Sequence, residues 1–590
     1  MSILTYIIAC PFVAALAMAF VPASYRVVHR GAAIIATLLS CLLAITMFLK
    51  FQIGTAGYQF QQQISWVTSL GISYHVGVDG INVGLILMGA IVACAAACVA
   101  SEIKEREKEF YILLLIMAGG ILGAFASLDL FFFYFFHELA LVPAFIMIGV
   151  WGRGKQKNYA AFQITLYLSI GALITLLGLI ALYVQSGLNT FDIPALTEYL
   201  KSPEHRLSLH NQKSIFPLLL FGFGILVSLW PFHSWAPLGY GSAPSPTAML
   251  HAGVLKKFGA YGLIRIALPM LPDAAQSWMQ ILGWLALGNL LFCGWVAMRQ
   301  KDFNWLLGYS SVAHMGFIFL GIATLNLIGV TGAVLVMIAH GLLAALAFGL
   351  SGYVYQQTGT LQMDQLGGLL RRLPFIGSAL LMAAFAACGL PGFANFAGEA
   401  TVFFGAWGSF RIVTILACWG ALIIGAIYML RAVRIMLHGP LNETWVNLVD
   451  APHLWRKAPF ILLLAPLIVF GCFPRLLTEK IAPSTEKLLS QMAVPKTTTN
   501  VVSATEHVQV LSGIPVSDAR FSPWLSRPGG SLDPSPWSER KRSPSPRPSP
   551  PGRGRTISPR WNESRFSNYR QTGESFSLSP GERPISPFLH

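Results

Sequence analysis

The sequence predicts an all-α integral membrane protein with about fourteen transmembrane helices. Hydrophobic residues make up 55% of its 590 residues and charged residues only 11%, whereas an average soluble domain has about 25% charged residues. So few charges could not solvate the surface of a soluble protein this apolar. The apolar runs are also continuous, which argues against an outer-membrane barrel, because barrel strands alternate apolar and polar residues.

Each apolar segment comes close to the roughly 20 residues that a helix needs to cross a bilayer. The fourteen segments that we predict lie at residues 3–22, 31–50, 81–101, 110–128, 130–151, 159–186, 215–234, 248–271, 277–298, 304–323, 326–352, 374–407, 411–437 and 459–477.

The basic residues of the connecting loops predict the orientation of the chain. Sixteen Lys and Arg residues lie in or beside the loops that follow odd-numbered segments, and five in or beside the loops that follow even-numbered ones. Short basic loops stay in the cytoplasm. We therefore expect a multi-pass protein of a bacterial inner (cytoplasmic) membrane, with the N-terminus and the C-terminus on the non-cytoplasmic side.

Two of the predicted helices contain residues that interrupt a helix. Segment seven runs into Trp230–Pro237, and segment twelve contains Gly389–Phe393. A break inside a membrane must face protein or water, because lipid cannot satisfy the freed backbone groups. Broken helices at corresponding positions are typical of inverted-repeat transporters. The predicted regions are N-terminal helices in 1–109, two inverted five-helix repeats in 110–271 and 277–437, and a last transmembrane helix at 459–477.

A polar tail, residues 478–590, follows the last segment. From about residue 520 it is rich in Pro and Arg, with 13 Pro in residues 520–590. A segment of this composition buries too little apolar surface to fold, so we predict disorder there. A basic, Pro-rich binding function is the alternative interpretation.

Five ionisable residues stand out inside the apolar segments, where a charge costs at least roughly 2.5–3.5 kcal/mol. They are Glu138, Lys257, His314, His340 and Glu399. Taken singly, such residues are often structural, as members of ion pairs or as satisfied histidines. Together, on different helices, they are what a proton path needs, because Glu, Lys and His can be tuned to titrate and Arg cannot. The adjacent Lys256 is expected to extend to a membrane interface instead.

Around these residues the sequence resembles a known family, the antiporter-like membrane subunits of proton-pumping NADH–quinone oxidoreductase (respiratory complex I), and among them chain M, or subunit 4. The matching stretches fall within about residues 70–440, and residues 1–480 have the family's fourteen-helix layout. The stretches are Val78–Asn82, the Glu138 segment ending at Pro143, Pro231–Trp235, Ala243–Thr247, Leu255–Gly262, Ser310–Gly316, Ile338–Gly341 and Gly389–Glu399.

The resemblance implies a role for each of the five residues. Glu138 corresponds to the charge-sensing carboxylate of the fifth helix, and Lys257 to the central lysine of the eighth. His314 and His340 correspond to the central relay histidines. Glu399 corresponds to the terminal acid of the twelfth helix, in the half channel to the outside.

Two secondary positions and one departure also follow from the resemblance. Asp79 matches an acid near the start of the third helix, and His233 belongs to the Pro-Phe-His motif of the broken seventh helix. Where the family has a lysine in that helix this chain has Leu226, and residues 214–255 contain no Lys or Arg. Glu138 therefore lacks its usual ion-pair partner there. It is either protonated at rest or paired with a cation from a neighbouring subunit.

The resemblance implies a proton-translocating subunit that couples quinone reduction elsewhere in an enzyme complex to proton movement. We expect no cofactor on this chain, because it has no P-loop, Gly-rich nucleotide motif or clustered Cys. NADH, flavin, iron–sulfur clusters and quinone are expected on other subunits.

The expected partners are the lipid bilayer and other membrane subunits of complex I, including neighbouring antiporter-like subunits, with no nucleic acid. Two alternatives remain open. One is a subunit of a multi-subunit cation/proton antiporter or of a membrane-bound hydrogenase. The other is a structural paralogue that stopped pumping when the lysine at Leu226 was lost.

Overall fold

The computed structural model describes residues 2–54 and 57–492, which all belong to one compact unit. The predicted disordered region from about residue 520 lies outside the described residues. In chain order the elements are α1 (Ile3–Ala19), α2 (Arg26–Lys50), β1 (Gln59–Val67), β2 (Ile72–Val78), α3 (Val83–Val99), α4 (Glu107–Ala126), α5 (Leu130–Trp151), α6 (Lys157–Ser186), α7 (Ile193–Lys201), α8 (Leu209–Val227), α9 (Trp235–Ser242), α10 (Ser245–Gly253), α11 (Phe258–Gly262), α12 (Leu268–Met270), α13 (Pro272–Gly288), α14 (Gly294–Arg299), α15 (Phe303–Ala323), α16 (Leu327–Thr358), α17 (Pro374–Ala387), α18 (Ala394–Ala406), α19 (Arg411–Trp419), α20 (Ala426–Leu437), α21 (Leu454–Cys472) and α22 (Arg475–Met492).

Ten helices of the described chain are long and apolar enough to cross a membrane. α1 and α17 are apolar but shorter. Segment seven ends in a break after α8, and segments eight and twelve are each divided into shorter helices. The prediction of a mostly helical membrane protein is confirmed. The total of fourteen spans and the division into repeats stay predictions.

α16 lies at the centre of the molecule. Its most apolar stretch is completely buried, and α3 and α15, which pack against it, are 94% buried over theirs. α6 and α21 are only 39% and 28% buried, so they form part of the outer surface. Polar side chains on α15 and α16 are therefore shielded from lipid by surrounding protein.

One two-stranded hairpin departs from the all-α prediction. β1 and β2 pair antiparallel between α2 and α3. β1 is largely exposed, whereas β2 is buried. The sequence of β1 carries four Gln residues in its first five, so it is too polar for a membrane span, and it falls in a loop for which no structure was predicted.

Both predicted helix breaks are present, at residues 228–234 between α8 and α9 and at residues 388–393 between α17 and α18. A third break, which the sequence analysis did not predict, divides segment eight. Regular helix ends at Gly253, and Leu255–Lys257 form a single 3-10 turn before α11. The two lysines of this segment therefore sit on an irregular turn rather than on a straight helix.

Candidate functional site

Lys257 is fully buried beside α16. Its Nζ lies 2.8 Å from Nδ1 of His340 and donates a 2.5 Å hydrogen bond to the carbonyl oxygen of Ala252. Gly253 and Gly341 allow α10 and α16 to approach closely beside Lys257. A Cβ at Gly253 would lie only 2.9 Å from the carbonyl oxygen of Gly341, so the backbones of α10 and α16 touch where these residues meet. This contact brings the lysine against the histidine that precedes Gly341.

His314 is the next titratable side chain beyond His340. The ring centroids of His340 and His314 are 5.3 Å apart. Nδ1 of His314 lies 2.7 Å from the carbonyl oxygen of Ser310. A carbonyl only accepts, so Nδ1 must carry a hydrogen. Nε2 of His314 is then left to face Glu399, whose Oε1 is 3.7 Å away.

The break in segment twelve packs against the carboxylate of Glu399. Gly389 in this break has a φ of +65°, and a Cβ there would lie 2.7 Å from Oε2 of Glu399. Glycine suits both the left-handed backbone and the close approach. Glu399 is buried, and its Oε1 has no hydrogen-bond partner among the described residues. That oxygen is therefore available to exchange a proton with His314.

Two small cavities flank His314. One, of about 30 Å³, has apolar walls from α15, α16, α17 and α20. Its polar walls come from Ser310, Ser311, His314 and His340. The other, of about 20 Å³, contacts His314, Glu399 and Tyr428. Each is large enough for one water molecule and offers polar partners for it, so each can bridge gaps that are too long for direct hydrogen bonds.

Lys257, His340, His314 and Glu399 form a continuous series, which we call the relay file. Successive contacts in the file measure 2.8 Å, 5.3 Å between ring centroids, and 3.7 Å. Each side chain can bind and release a proton, and an imidazole can accept at one nitrogen while it donates from the other. The file can therefore pass a proton between Lys257 and Glu399. Within residues 2–54 and 57–492, no cluster of three or more His, Cys, Asp or Glu is suited to hold a metal.

Lys256 is buried, so the expectation that it extends to an interface was wrong. Its Nζ lies 3.4 Å from Oγ of Ser311 and 5.4 Å from the ring centroid of Tyr240. The turn that carries both lysines lies inside packed protein, so neither side chain has an interface within reach. Lys256 lies beside the relay file, next to the cavity that Ser311 lines.

Glu138 lies apart from the relay file. Its side chain is 32% exposed on the outer face of α5, which also presents Phe135 and Val142. These residues share a face because they are three and four positions from Glu138 on one helix. Oε1 of Glu138 lies 3.4 Å from Nδ1 of the buried His137. Leu226, at the position where the resemblance implies a lysine, is buried in α8.

The two secondary positions also lie outside the relay file. Asp79 accepts hydrogen bonds from Arg265 at 2.7 and 2.8 Å, a buried pair that the sequence analysis missed. The guanidinium stays charged, so Arg265 cannot itself pass a proton. His233 is buried with its ring 5.7 Å from that of Phe292.

The sequence analysis missed several polar residues beside the file. Ser310 precedes His314 by one helical turn, a spacing that could have indicated the hydrogen bond between them. His251 lies six residues before Lys257 in predicted segment eight, and it packs against Tyr240. Tyr428 hydrogen-bonds Ser310 at 3.0 Å, but it is far away in the sequence, so no local signal could have indicated it.

Known proteins are similar to this chain in sequence. A family model described as NADH:quinone oxidoreductase/Mrp antiporter, TM, matches residues 127–425. NAD(P)H-quinone oxidoreductase chain 4 1 of Picosynechococcus sp. is 33% identical over 498 residues, which cover 83% of this chain and 92% of the relative. NADH-quinone oxidoreductase subunit M of Rickettsia bellii is 32% identical over 463 residues, which cover 78% of this chain and 91% of the relative.

A solved structure agrees with the sequence matches. A chain of respiratory complex I from Thermus thermophilus with bound NADH has a TM-score of 0.75 and 27% sequence identity. The match covers 83% of this chain and 100% of that chain. All four residues of the relay file fall within the region that the family model matches. The chain belongs to the NADH:quinone oxidoreductase/Mrp antiporter family of transmembrane subunits.

Proposed function

We propose that this chain is a proton-translocating membrane subunit of an NADH–quinone oxidoreductase. The observation that carries the proposal is the relay file, four buried titratable side chains in sequential contact across the helices of the core. Keeping such groups out of water is costly, and a purely structural subunit would have no need of them. The names of the relatives, chain 4 and subunit M of NAD(P)H- and NADH-quinone oxidoreductases, support the same assignment.

The proposed route starts on the cytoplasmic side near Lys257. A proton passes to His340 and His314, and it leaves toward the other side by Glu399. The energy comes from quinone reduction on other subunits, which hold NADH, flavin, iron–sulfur clusters and quinone, while this chain contributes no redox group. Its partners are other membrane subunits of the complex, including neighbouring antiporter-like ones, and the surrounding lipid.

The proposed topology is the fourteen-span arrangement with both termini on the non-cytoplasmic side of a bacterial inner membrane. Helical residues in every predicted segment support it, as does the excess of basic residues in alternate loops. We further propose that residues 110–271 and 277–437 are inverted repeats. A helix break in the fourth helix of each proposed repeat supports that relation.

The proposal is tested in vesicles that contain the assembled complex, by measuring NADH-driven quinone reduction and proton uptake together. Lys257→Met keeps the side-chain volume but removes the titratable group. We expect it to lower proton flux through this subunit by about 100-fold or more, because general acid–base groups typically contribute that much. Lys301→Met is the matched control, since Lys301 is exposed, and it should pump normally.

Two results would contradict the proposal. Normal pumping by the assembled Lys257→Met complex would leave the chain as a structural paralogue. Purification of the native chain in a complex that exchanges cations for protons without oxidising NADH would make it an antiporter subunit.

A further inference from the structure

Two polar atoms on α5 face each other. Nδ1 of His137 and Oε1 of Glu138 are 3.4 Å apart, and neither forms a hydrogen bond within the described ranges. His137 is buried, whereas the side chain of Glu138 lies at the outer face of the helix with its Oε1 covered by protein. Tyr134, one turn earlier, is an electrostatic and hydrogen-bonding neighbour of the same carboxylate. Oε1 of Glu138 is thus the charged partner within reach of Nδ1 of His137.

An outward carboxylate on a membrane helix needs a balancing charge or a proton, since an isolated charge in the bilayer costs at least roughly 2.5–3.5 kcal/mol. The helices that pack against α5 are mainly α4, α6 and α10, and their only Lys or Arg residues are Lys108 and Lys157, each in the first turn of its helix and far along the chain from the turn that faces Glu138. A histidine can supply one, because a protonated imidazole is a cation and a neutral one is not. His137 is placed to do this for Glu138.

The ring of His137 also packs against the segment that carries the two lysines. Its ring stacks on Phe258, with centroids 4.0 Å apart and an interplanar angle of 18°, and Phe258 directly follows Lys257. His137 is also an electrostatic neighbour of His251, and His251 of both Lys256 and Lys257. His137 therefore contacts both Glu138 and Phe258, the residue that follows Lys257.

We propose that His137 and Glu138 form a proton-sharing dyad that links the outer face of α5 to Lys257. One proton moves between Nδ1 of His137 and Oε1 of Glu138, so the pair alternates between an ion pair and two neutral groups without a change in total charge. In the ion-pair state the positive charge of the imidazolium opposes protonation of Lys257. In the neutral state His137 is an uncharged imidazole and does not oppose it. This inference rests on the proposed function and deepens it, because it names His137 as a positioning residue for the charge on the file.

His137→Phe tests the dyad in the assembled complex, because phenylalanine keeps the stacking on Phe258 and removes the proton carrier. We expect a fall of roughly tenfold in proton flux at normal assembly, within the range of coupling between two sites. His137→Lys restores a cation that can titrate, so it should recover most of the flux. His205→Phe is the matched control, since His205 also stacks on an aromatic ring, that of Tyr199 at 4.1 Å, but is exposed.

A double-mutant cycle with Glu138→Gln separates a dyad from simple packing. If the two residues act as one unit, His137→Phe should cause little further loss in the Glu138→Gln background. Additive losses without rescue by His137→Lys would overturn the dyad, as would normal flux in His137→Phe. A complex in which Lys257→Met blocks flux and His137→Phe does not would refute the dyad while the proposed function stands. Normal flux in Lys257→Met would refute the proposed function itself.

Discussion

Gly389 is the position at which a single methyl group should disturb proton exit. In Gly389→Ala the new Cβ would lie 2.7 Å from Oε2 of Glu399, whereas ordinary contact begins at 3.4 Å. The carboxylate must therefore shift by about 0.7 Å, which disturbs the 3.7 Å approach of its other oxygen to His314. Because a displacement of about 1 Å can cost about 100-fold in a reaction that depends on geometry, we expect proton flux to fall by about 10- to 100-fold.

Gly392→Ala is the matched control for this prediction. Gly392 lies in the same break with a φ of +100°, but a Cβ there meets nothing within 4 Å. Both variants carry the backbone strain of a left-handed alanine, about 1–2 kcal/mol. Only Gly389→Ala touches the carboxylate. Proton uptake and quinone reduction are measured in the same vesicles, and equal flux in the two variants would refute the role of Glu399 as the exit group.

Three further predictions concern other parts of the site. Lys257→Arg should lose about as much proton flux as Lys257→Met in the same vesicle assay, because a guanidinium cannot release its proton. Gly253→Ala should push α10 away from α16 and lower proton flux, whereas Gly349→Ala, whose Cβ would meet a flexible methionine at 3.2 Å, should have little effect. Arg265→Met should destabilise the subunit by about 3–5 kcal/mol, because it leaves Asp79 buried without its partner, and the loss should appear as a lower melting temperature of the complex.

Composition and apolar run lengths were enough to predict a helical membrane protein, because the bilayer fixes both the length and the polarity of a spanning helix. The breaks in segments seven and twelve were also predictable, since Pro and Gly interrupt a helix wherever they cluster. The four residues of the relay file were found as ionisable side chains in apolar segments. Their order in the file follows from helix packing and required the structure.

What the sequence did not indicate has a common physical cause, which is that tertiary packing decides what a side chain faces. No Pro in the sequence indicates the 3-10 turn at Leu255–Lys257. Lys256 was expected at an interface, but this turn lies inside packed protein and the side chain is buried. Glu138 was selected as a carboxylate deep in an apolar segment, and the orientation of its side chain on the outer face of α5 required the structure. The partner of Asp79, Arg265, is 186 residues away in the sequence, and no local pattern links the two.

The most direct test of the relay file is whether Glu399 changes protonation during turnover and whether His340 is needed for that change. Infrared difference spectra of the assembled complex, recorded on addition of NADH and quinone, report the carboxyl band of a protonated glutamate. The band is assigned to Glu399 by its loss in Glu399→Gln. The relay file predicts that the band appears in the native complex and is absent in His340→Phe, which keeps an aromatic ring but carries no proton. A band of native size in His340→Phe would contradict transfer through the file.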